Sequence, residues 1–442
     1  MMNQYTKLSY DSRDVVPGTL FFCKGASFKK EYLEAAIKRG ASAYVSETDY
    51  NVSIPCIKVD NIRVAMADMA NEFYEFAWKA YPTIGITGSK GKSSTLYFIK
   101  SIFEAAEKNM AFLSTIDTYD GIESFESHLT TPEALELHHH FANAKAAKVD
   151  AFAMEVSSQG LKYDRTRGVI YTIGVFLNFG SDHIGEGEHT DIEDYFSSKL
   201  KLMSQCKVAI INKESDRFMQ IYEAAKASPI CEKIITFSAK EDEFNYQLSI
   251  PGSFNIENGL AAVAIAKELE ISDEAIKEGL AKASVPGRME VFENKDKEIV
   301  CIVDYAHSIL SFDKLFSAVK EMYPGWRIES LFGCPGGKGL QRRVDLPKTA
   351  SKYADFVWVT EEDPGLEDAN KICKIVKAEL DKCGCPGKIV VDRDEAIKEA
   401  ITTAKPKTVI VLTGKGREEY MHRGAEYVPF TPETTQVERL LK

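Results

Sequence analysis

The sequence predicts an α/β protein of about three units, and three observations predict it. Short apolar runs of β character alternate with helical patterns over almost the whole chain. At 442 residues the chain is too long for one ordinary hydrophobic core. Residues 83–94 read T-I-G-I-T-G-S-K-G-K-S-S between an apolar run and an amphipathic segment, a strand, loop and helix around which the other segments are arranged.

Residues 1–79 form the first unit. The runs 19–22, 42–45 and 56–59 are β-like, and helical patterns cover 31–39 and 63–78. A small α/β unit placed before the glycine-rich loop suits a substrate-holding module better than part of a nucleotide site. Its stretch D-S-R-D-V-V-P-G-T-L-F-F at 11–22 is also compatible with a plain turn before a strand.

Residues 80–285 alternate in βα order, with strands at 83–86, 151–156, 173–177, 208–211 and 234–237, a helix from 94 and an Ala-rich helix at 258–269. Such alternation implies a mainly parallel sheet with helices on both faces and ligands at the carboxyl ends of its strands. M-E-V-S-S at 154–158 ends one strand and L-N-F-G-S-D-H at 177–183 ends the next. Glu155 and His183 are therefore candidate metal ligands, and Ser157 a candidate substrate contact.

Residues 286–442 alternate again, with strands at 299–303, 327–332, 356–360, 389–391 and 408–412 and helices at 311–321, 370–381 and 393–402. A second open α/β sheet is expected, with chemically loaded loops at 304–307, 333–343, 361–368 and 414–418. V-P-G-R at 285–288 is the best linker between the second and third units.

The stretch 83–94 has the chemistry of a phosphate cradle. Gly85, Gly88 and Gly91 let the backbone turn N–H groups toward an anion, Lys92 adds a point charge, and Ser93 is placed to hold Mg²⁺. Leu96, Phe98, Ile99, Ile102 and Phe103 make the following segment an amphipathic helix, whose N-terminus favours negative charge. The spacing departs from G-x-x-x-x-G-K-[ST], because position 86 is Ile.

A formal charge of −11 opposes a general nucleic-acid role. The nine cysteines form no zinc spacing and no secreted framework, so free thiols in a reducing cytoplasm are expected. The N-terminus has no apolar signal segment and the chain no apolar run long enough to span a membrane, so neither export nor membrane insertion is expected. His138, His139 and His140 read as the solvated face of a helix.

Together these stretches resemble the Mur ligase family, and within it the MurE branch, which adds the third residue of the peptidoglycan stem peptide. The resemblance runs the whole chain. It is carried by D-S-R at 11–13, T-G-S-K-G-K-S-S at 87–94, T-T-P-E at 130–133, M-E-V-S-S at 154–158, S-D-H-I at 181–184, Y-F-S-S-K at 195–199, F-N-I-E-N at 254–258, G-R-M-E at 287–290, D-Y-A-H at 304–307 and G-K-G at 414–416. It implies a small UDP-binding domain (1–79), a central P-loop ATPase domain with a mainly parallel sheet (80–285) and a Rossmann-like C-terminal domain that takes the amino acid (286–442).

By the same resemblance, ATP phosphorylates a substrate carboxylate and an amine then attacks the acyl phosphate. The partners implied are UDP-N-acetylmuramoyl-L-alanyl-D-glutamate and a free amino acid, in the cytoplasm, with the protein a monomer serving cell-wall synthesis, cell shape and division. Gly88, Ser89, Lys90, Gly91, Lys92, Ser93 and Ser94 would hold the phosphates, Asn258 with Asn255 the adenine, and Arg288 and Asp304 would close on ATP. Two Mg²⁺ ions would be held by Ser93, Glu155, His183 and Lys199, the last as a carbamate, which turns an ammonium into a carboxylate-like anion. Spacing alone reads Lys199 as a solvated lysine in a helix at 192–203; Tyr195 four residues earlier and the S-D-H motif support the family role. Ser12 and Arg13, with the loop around Lys24, would hold the nucleotide sugar, and Thr130, Thr131, Ser157 and Arg165 the muramoyl-dipeptide. Gly414 and Glu418 would meet the amine.

The added amino acid is read from 362–365, Glu-Asp-Pro-Gly. Diaminopimelate-adding relatives carry D-N-P-R here and lysine-adding ones often D-D-P-N. The chain lacks the arginine that would pair with a second carboxylate. Glu361, Glu362, Asp363, Glu367 and Asp368 should instead attract a cationic side chain, so lysine, or ornithine, is expected over meso-diaminopimelate. The chain departs from the family pattern at Gln159, Gly180 and Arg417. The competing readings are a folylpolyglutamate synthetase-like ligase and a non-catalytic, nucleotide-switched precursor-binding protein.

Overall fold

The computed structural model describes residues 2–25, 28–127, 129–180, 189–250 and 252–442. Among the described residues the strands form three main sheets and one small hairpin, and packing divides the chain into two compact units. One is Met1–Gln247 with Glu257–Lys282, the other Leu248–Ile256 with Ala283–Lys442.

The first unit holds two of the sheets. The four-stranded one runs Lys7–Ser9, Thr19–Phe22, Ala41–Ser46, Cys56–Lys58, all parallel. Thr19–Phe22 is buried throughout because helices cover both faces. Leu20 and Phe22 pack with Met66 and Ala70 of the helix Ile62–Phe73, while Phe21 packs with Leu33 and Ala36 of the helix Lys30–Lys38, as the two-residue period of a strand requires.

The second sheet is eight-stranded: Lys233–Phe237, Cys206–Asn212, Tyr171–Phe176, Thr83–Thr87, Ala151–Glu155, Met110–Leu113, Asp117–Tyr119, Ser124–Glu126. The first six are parallel and the last two turn back antiparallel. From Thr83–Thr87 the chain goes first to strands on one side and then to Tyr171–Phe176 on the other. The carboxyl end of Thr83–Thr87 is thus a topological switch point, where open α/β sheets hold ligands. The sequence reading missed Met110–Leu113 and the hairpin beyond it, where strands of three or four residues leave little alternation to read.

The histidine run is a correction. In the helix Ala134–Ala147, His138 and His140 are buried and only His139 is partly exposed. Ala134 and Leu135 join the core of the first sheet, and Leu137, Phe141 and Ala144 that of the second, so two sides of this helix are covered. His140 Nδ1 lies 2.7 Å from the Asp120 carboxylate.

The second unit has a six-stranded sheet: Glu290–Asn294, Ile299–Asp304, Thr408–Thr413, Arg327–Phe332, Phe356–Val359, Gly387–Ile389. Its first strand is antiparallel and the other five are parallel. Loops 304–307, 333–343, 360–368 and 414–418 follow the carboxyl ends of parallel strands and so gather along one edge of this sheet.

Candidate active site

In the first unit the loop after Thr83–Thr87 is held from a neighbouring strand end. Ser89 N–H donates to Asn178 O at 3.0 Å, Lys90 N–H to Asn178 Oδ1 at 2.9 Å, and Asn178 Nδ2 to Lys90 O at 3.0 Å. Ser89 Oγ lies 3.0 Å from the Tyr195 hydroxyl and accepts from Gly180 N–H. Gly91 caps the helix Lys92–Ala105 with φ of 87°, and a Cβ there would stand 2.2 Å from Asn258 Oδ1. Glycine is required at 91 both by the left-handed backbone and by the close seat of Asn258. The helix begins at Lys92, so Lys92, Ser93 and Ser94 occupy its first turn.

Two lysines from distant parts of the chain converge on this loop. Lys92 Nζ donates to Gly88 O at 3.0 Å, and Lys199 Nζ donates to the same oxygen at 2.9 Å. Lys199, from the helix Ile192–Leu200, is 2 % exposed with its ammonium 4.9 Å from the Tyr195 ring centroid. It is no solvated lysine.

Glu155, at the end of its strand and 1 % exposed, faces the same helix start. Its Oε1 accepts from Ser93 Oγ and Thr115 N–H, each at 2.8 Å, and its Oε2 from Thr115 Oγ1 at 3.0 Å. A hydroxyl and a carboxylate side by side at a helix N-terminus are hard oxygen donors of the kind Mg²⁺ takes, so these residues fit that ion. His183 lies outside the described residues.

From Glu155 a chain of contacts leads to the residues expected to hold the second substrate. Thr115 Oγ1 is 3.0 Å from Thr130 Oγ1. Thr131 Oγ1 donates to Glu155 O and accepts from Ser157 N–H, while Ser157 Oγ caps the short helix after it by accepting from Gly160 N–H. Arg165 donates to Thr131 O at 3.0 Å and pairs with Glu133 at 3.0 Å. Lys24, from the four-stranded sheet's side, reaches the same Glu133 oxygen at 2.8 Å, with Arg63 at 4.0 Å from the other. Three cations thus surround one buried carboxylate, and burial lowers the Lys24 pKa. Such an excess of positive charge favours an anionic ligand. Beside it, a cleft of about 340 Å³ is lined by Cys23, Gly25, Phe28, Ser46, Glu47, Thr48, Tyr50, Ile62 and Arg63. Ser12 and Arg13 do not line it, and the Arg13 guanidinium is tied to Asp11 at 2.6 Å.

The second unit places the remaining candidates. Asp304 is buried, its carboxylate accepting from Met289 N–H at 2.9 Å and Ala306 N–H at 2.7 Å, and burial raises its pKa. Arg288 lies 5.3 Å from the centre of the Tyr305 ring, whose hydroxyl donates to Glu418 at 2.7 Å. Asn255 belongs to this unit and Asn258 to the first; Asn255 donates to Ile250 O at 3.5 Å.

The acidic stretch 361–368 is less open than its composition suggests. Glu361 pairs with Arg423, Glu367 with Arg343, Asp363 with Lys415, and Asp368 caps the helix Ala369–Lys382. Lys415 also pairs with Glu418. Asp363 itself has φ of 41°, a left-handed conformation that costs about 1 kcal/mol or more outside glycine. Glu362 differs from these neighbours. It is buried, its carboxyl is pushed up to about 7 chiefly by desolvation, and a Cβ on Gly414 would stand 2.2 Å from its Oε2. Gly414, with φ of 107°, is there to let that carboxylate approach.

Residues 86–245 match the family model for the Mur ligase middle domain, and 287–416 that for the Mur ligase glutamate ligase domain. The chain belongs to the Mur ligase family. Among curated relatives it is 38% identical to the UDP-N-acetylmuramoyl-L-alanyl-D-glutamate–L-lysine ligase of Enterococcus faecalis, over 94% of this chain and 88% of that one. It is 39% identical to the enzyme of the same name from Streptococcus suis, over 94% and 89%. A solved UDP-N-acetylmuramoyl-L-alanyl-D-glutamate–2,6-diaminopimelate ligase superposes with a TM-score of 0.68 at 24% identity, covering 99% of this chain and 94% of that one, which shows the shared fold.

Asn178, Thr115, Glu133 and Arg63 are site residues to which sequence reasoning gave no role. Asn178 stood inside a motif singled out for its Asp and His. Thr115 follows the short strand Met110–Leu113, which had not been recognised.

Proposed function

We propose that this Mur ligase joins L-lysine to UDP-N-acetylmuramoyl-L-alanyl-D-glutamate, as the names of its relatives read, and that ATP drives the ligation. The observation that carries the reading is the convergence of Lys92, Lys199, Ser93 and Glu155 on one loop at the switch point. Phosphoryl transfer needs positioning and charge neutralisation more than a protein nucleophile. Lys92 and the first-turn N–H groups receive the nucleotide's phosphates, and the D-glutamyl carboxylate is held by Thr130, Ser157 and Arg165. Its oxygen attacks the γ-phosphorus, ADP leaves, and the amine of lysine displaces phosphate from the acyl phosphate, losing a proton as the amide forms.

Ser93 and Glu155, with His183 and a carbamylated Lys199, would hold Mg²⁺, which supplies charge neutralisation at the phosphate oxygens. Carbamylation suits a lysine that is buried beside a second cation, because it exchanges a desolvated ammonium for an anion. The cleft near Ser46, Glu47 and Thr48 is the proposed seat of the uridine, and the cations around Glu133 that of the substrate's charged groups. The three-part division at 79/80 and 285/286 is proposed as the functional one. No described helix is long and apolar enough to cross a membrane, which suits a cytoplasmic step of cell-wall synthesis feeding cell shape and division; action as a monomer is part of the proposal.

Phosphate release measured with and without each substrate, over lysine, ornithine and meso-diaminopimelate, tests it. Release should require both the muramoyl-dipeptide and lysine. Nucleotide hydrolysis without either would point to a switch protein, and a diaminopimelate preference would overturn the specificity. Lys199→Ala should reduce ligation at least 100-fold; full activity would remove the carbamate from the mechanism.

A further inference from the structure

The second unit contains an ion pair that the ligation mechanism leaves unused. Arg393 and Glu433 are each fully buried, 2.7 Å apart. Burying two charges costs several kcal/mol per ion before their attraction is counted, so such a pair is weak as a source of stability. Arg393 also opens the helix Arg393–Thr403, the end where a cation is disfavoured by the helix dipole. A residue that breaks two local rules points to a positional role.

Its hydrogen bonds say which position is at stake. Arg393 Nη1 donates to Glu361 O at 3.0 Å, Nη2 to Thr413 O at 2.6 Å, and Nε to Glu433 Oε1 at 2.8 Å. Glu433 Oε2 accepts from Gly416 N–H at 2.8 Å, and Gly416 O accepts from Glu433 N–H at 3.0 Å. One guanidinium fork therefore spans two strand-end loops, and its partner ties the second loop to the start of the C-terminal helix Glu433–Leu441. Between these anchors stand Glu362, against Gly414, and Lys415, paired with Asp363 and Glu418.

We propose that the Arg393–Glu433 pair is a positioning element that fixes loop 361–363 against loop 413–418, and so sets the pocket that selects the incoming amino acid. This rests on the reading that those loops take the amino acid. Both side chains are fully buried, so the pair acts through the two loops it joins. A fork with three acceptors at fixed angles is a task for arginine, and lysine, a point charge on a flexible stem, cannot reproduce it.

The test compares the unaltered chain with Arg393→Lys and Glu433→Gln. Arg393→Lys should raise KM for lysine about tenfold or more and narrow the preference for lysine over ornithine, with KM for ATP and for the muramoyl-dipeptide within about twofold. Glu433→Gln should give a smaller change in the same direction. Amide hydrogen exchange should quicken in peptides spanning 360–366 and 412–420 and stay unchanged over 83–105. Equal changes in all three KM values, or a lowered melting midpoint with unchanged KM and unchanged exchange in the two loops, would overturn the proposal. If Arg393→Lys does not fold, Glu433→Gln gives the same readouts. Failure of the unaltered chain to use lysine would count against the functional reading alone, since loop exchange still decides on the brace.

Discussion

Specificity for the added amino acid turns on Glu362. Its carboxyl is raised from the ordinary 4.5 to about 7 by burial, so between those values the folded chain holds a proton that the unfolded chain has released. Stability must then fall as pH rises through that window, and the penalty is complete above about 7. Glu362→Gln removes the penalty and should stabilise the protein at pH 8 by up to about 3 kcal/mol, with little effect near pH 4.5; urea denaturation at the two pH values measures this. The same substitution should raise KM for lysine at pH 8, because an ionised Glu362 attracts an ammonium side chain. Loss of stability at pH 8 with unchanged KM would show that the carboxylate is structural. The family resemblance already marked Glu362 and Lys199, although spacing alone reads Lys199 as solvated. It could not show that Glu361, Asp363 and Glu367 are neutralised by Arg423, Lys415 and Arg343, since those pairings join segments far apart in the chain.

Among the elements, the helix Lys92–Ala105 is the one whose placement the site depends on. It presents Lys92 and Ser93 at its start, and near its other end it packs against the helix Asp273–Lys282 at Gly279. A Cβ at 279 would stand 2.5 Å from Ile102 Cα, and Ser101 Oγ donates to Gly279 O at 2.8 Å. Backbone cannot yield as a flexible side chain can, so Gly279→Ala must push the two helices apart. A loss of about 1–3 kcal/mol is expected, seen in a lower denaturation midpoint, together with a higher KM for ATP as the first turn shifts. Periodicity located most of the buried strands and many of the helices to within a few residues, but passed over the helices Phe218–Ala227, Asp273–Lys282 and Glu433–Leu441. It failed too where an element is short or covered on two sides: Met110–Leu113 has four residues, and the Ala134–Ala147 helix hid His138 and His140 from water although their type suggested solvent. Burial on a second side is a property of neighbours that a single segment's pattern does not contain.

For the whole molecule, the two sheets of the first unit share more than a boundary. Ala134 and Leu135 of the central region complete the core of the four-stranded sheet, Tyr10 donates to Glu136 at 2.5 Å, and Asn71 Nδ2 donates to Arg167 O at 3.1 Å. Lys24 and Arg165 meet at Glu133. The expectation of a first unit ending near residue 79 says nothing about the apolar surface that the two sheets bury together. A chain of residues 80–442 would uncover Ala134 and Leu135 and leave Glu133 without Lys24 and Arg63. Removing one side of a buried charge network costs about 3–5 kcal/mol, before any lost apolar burial is added. That is a large share of the roughly 5–15 kcal/mol that holds a typical domain folded. The shortened chain should therefore bind a hydrophobic dye, lose its near-ultraviolet circular dichroism in the first unit, and hydrolyse no ATP. In the intact protein, calorimetry should show the two sheets of the first unit melting as one transition. A truncated chain that melts cooperatively at the temperature of the intact first unit would show that the two sheets are independent domains after all.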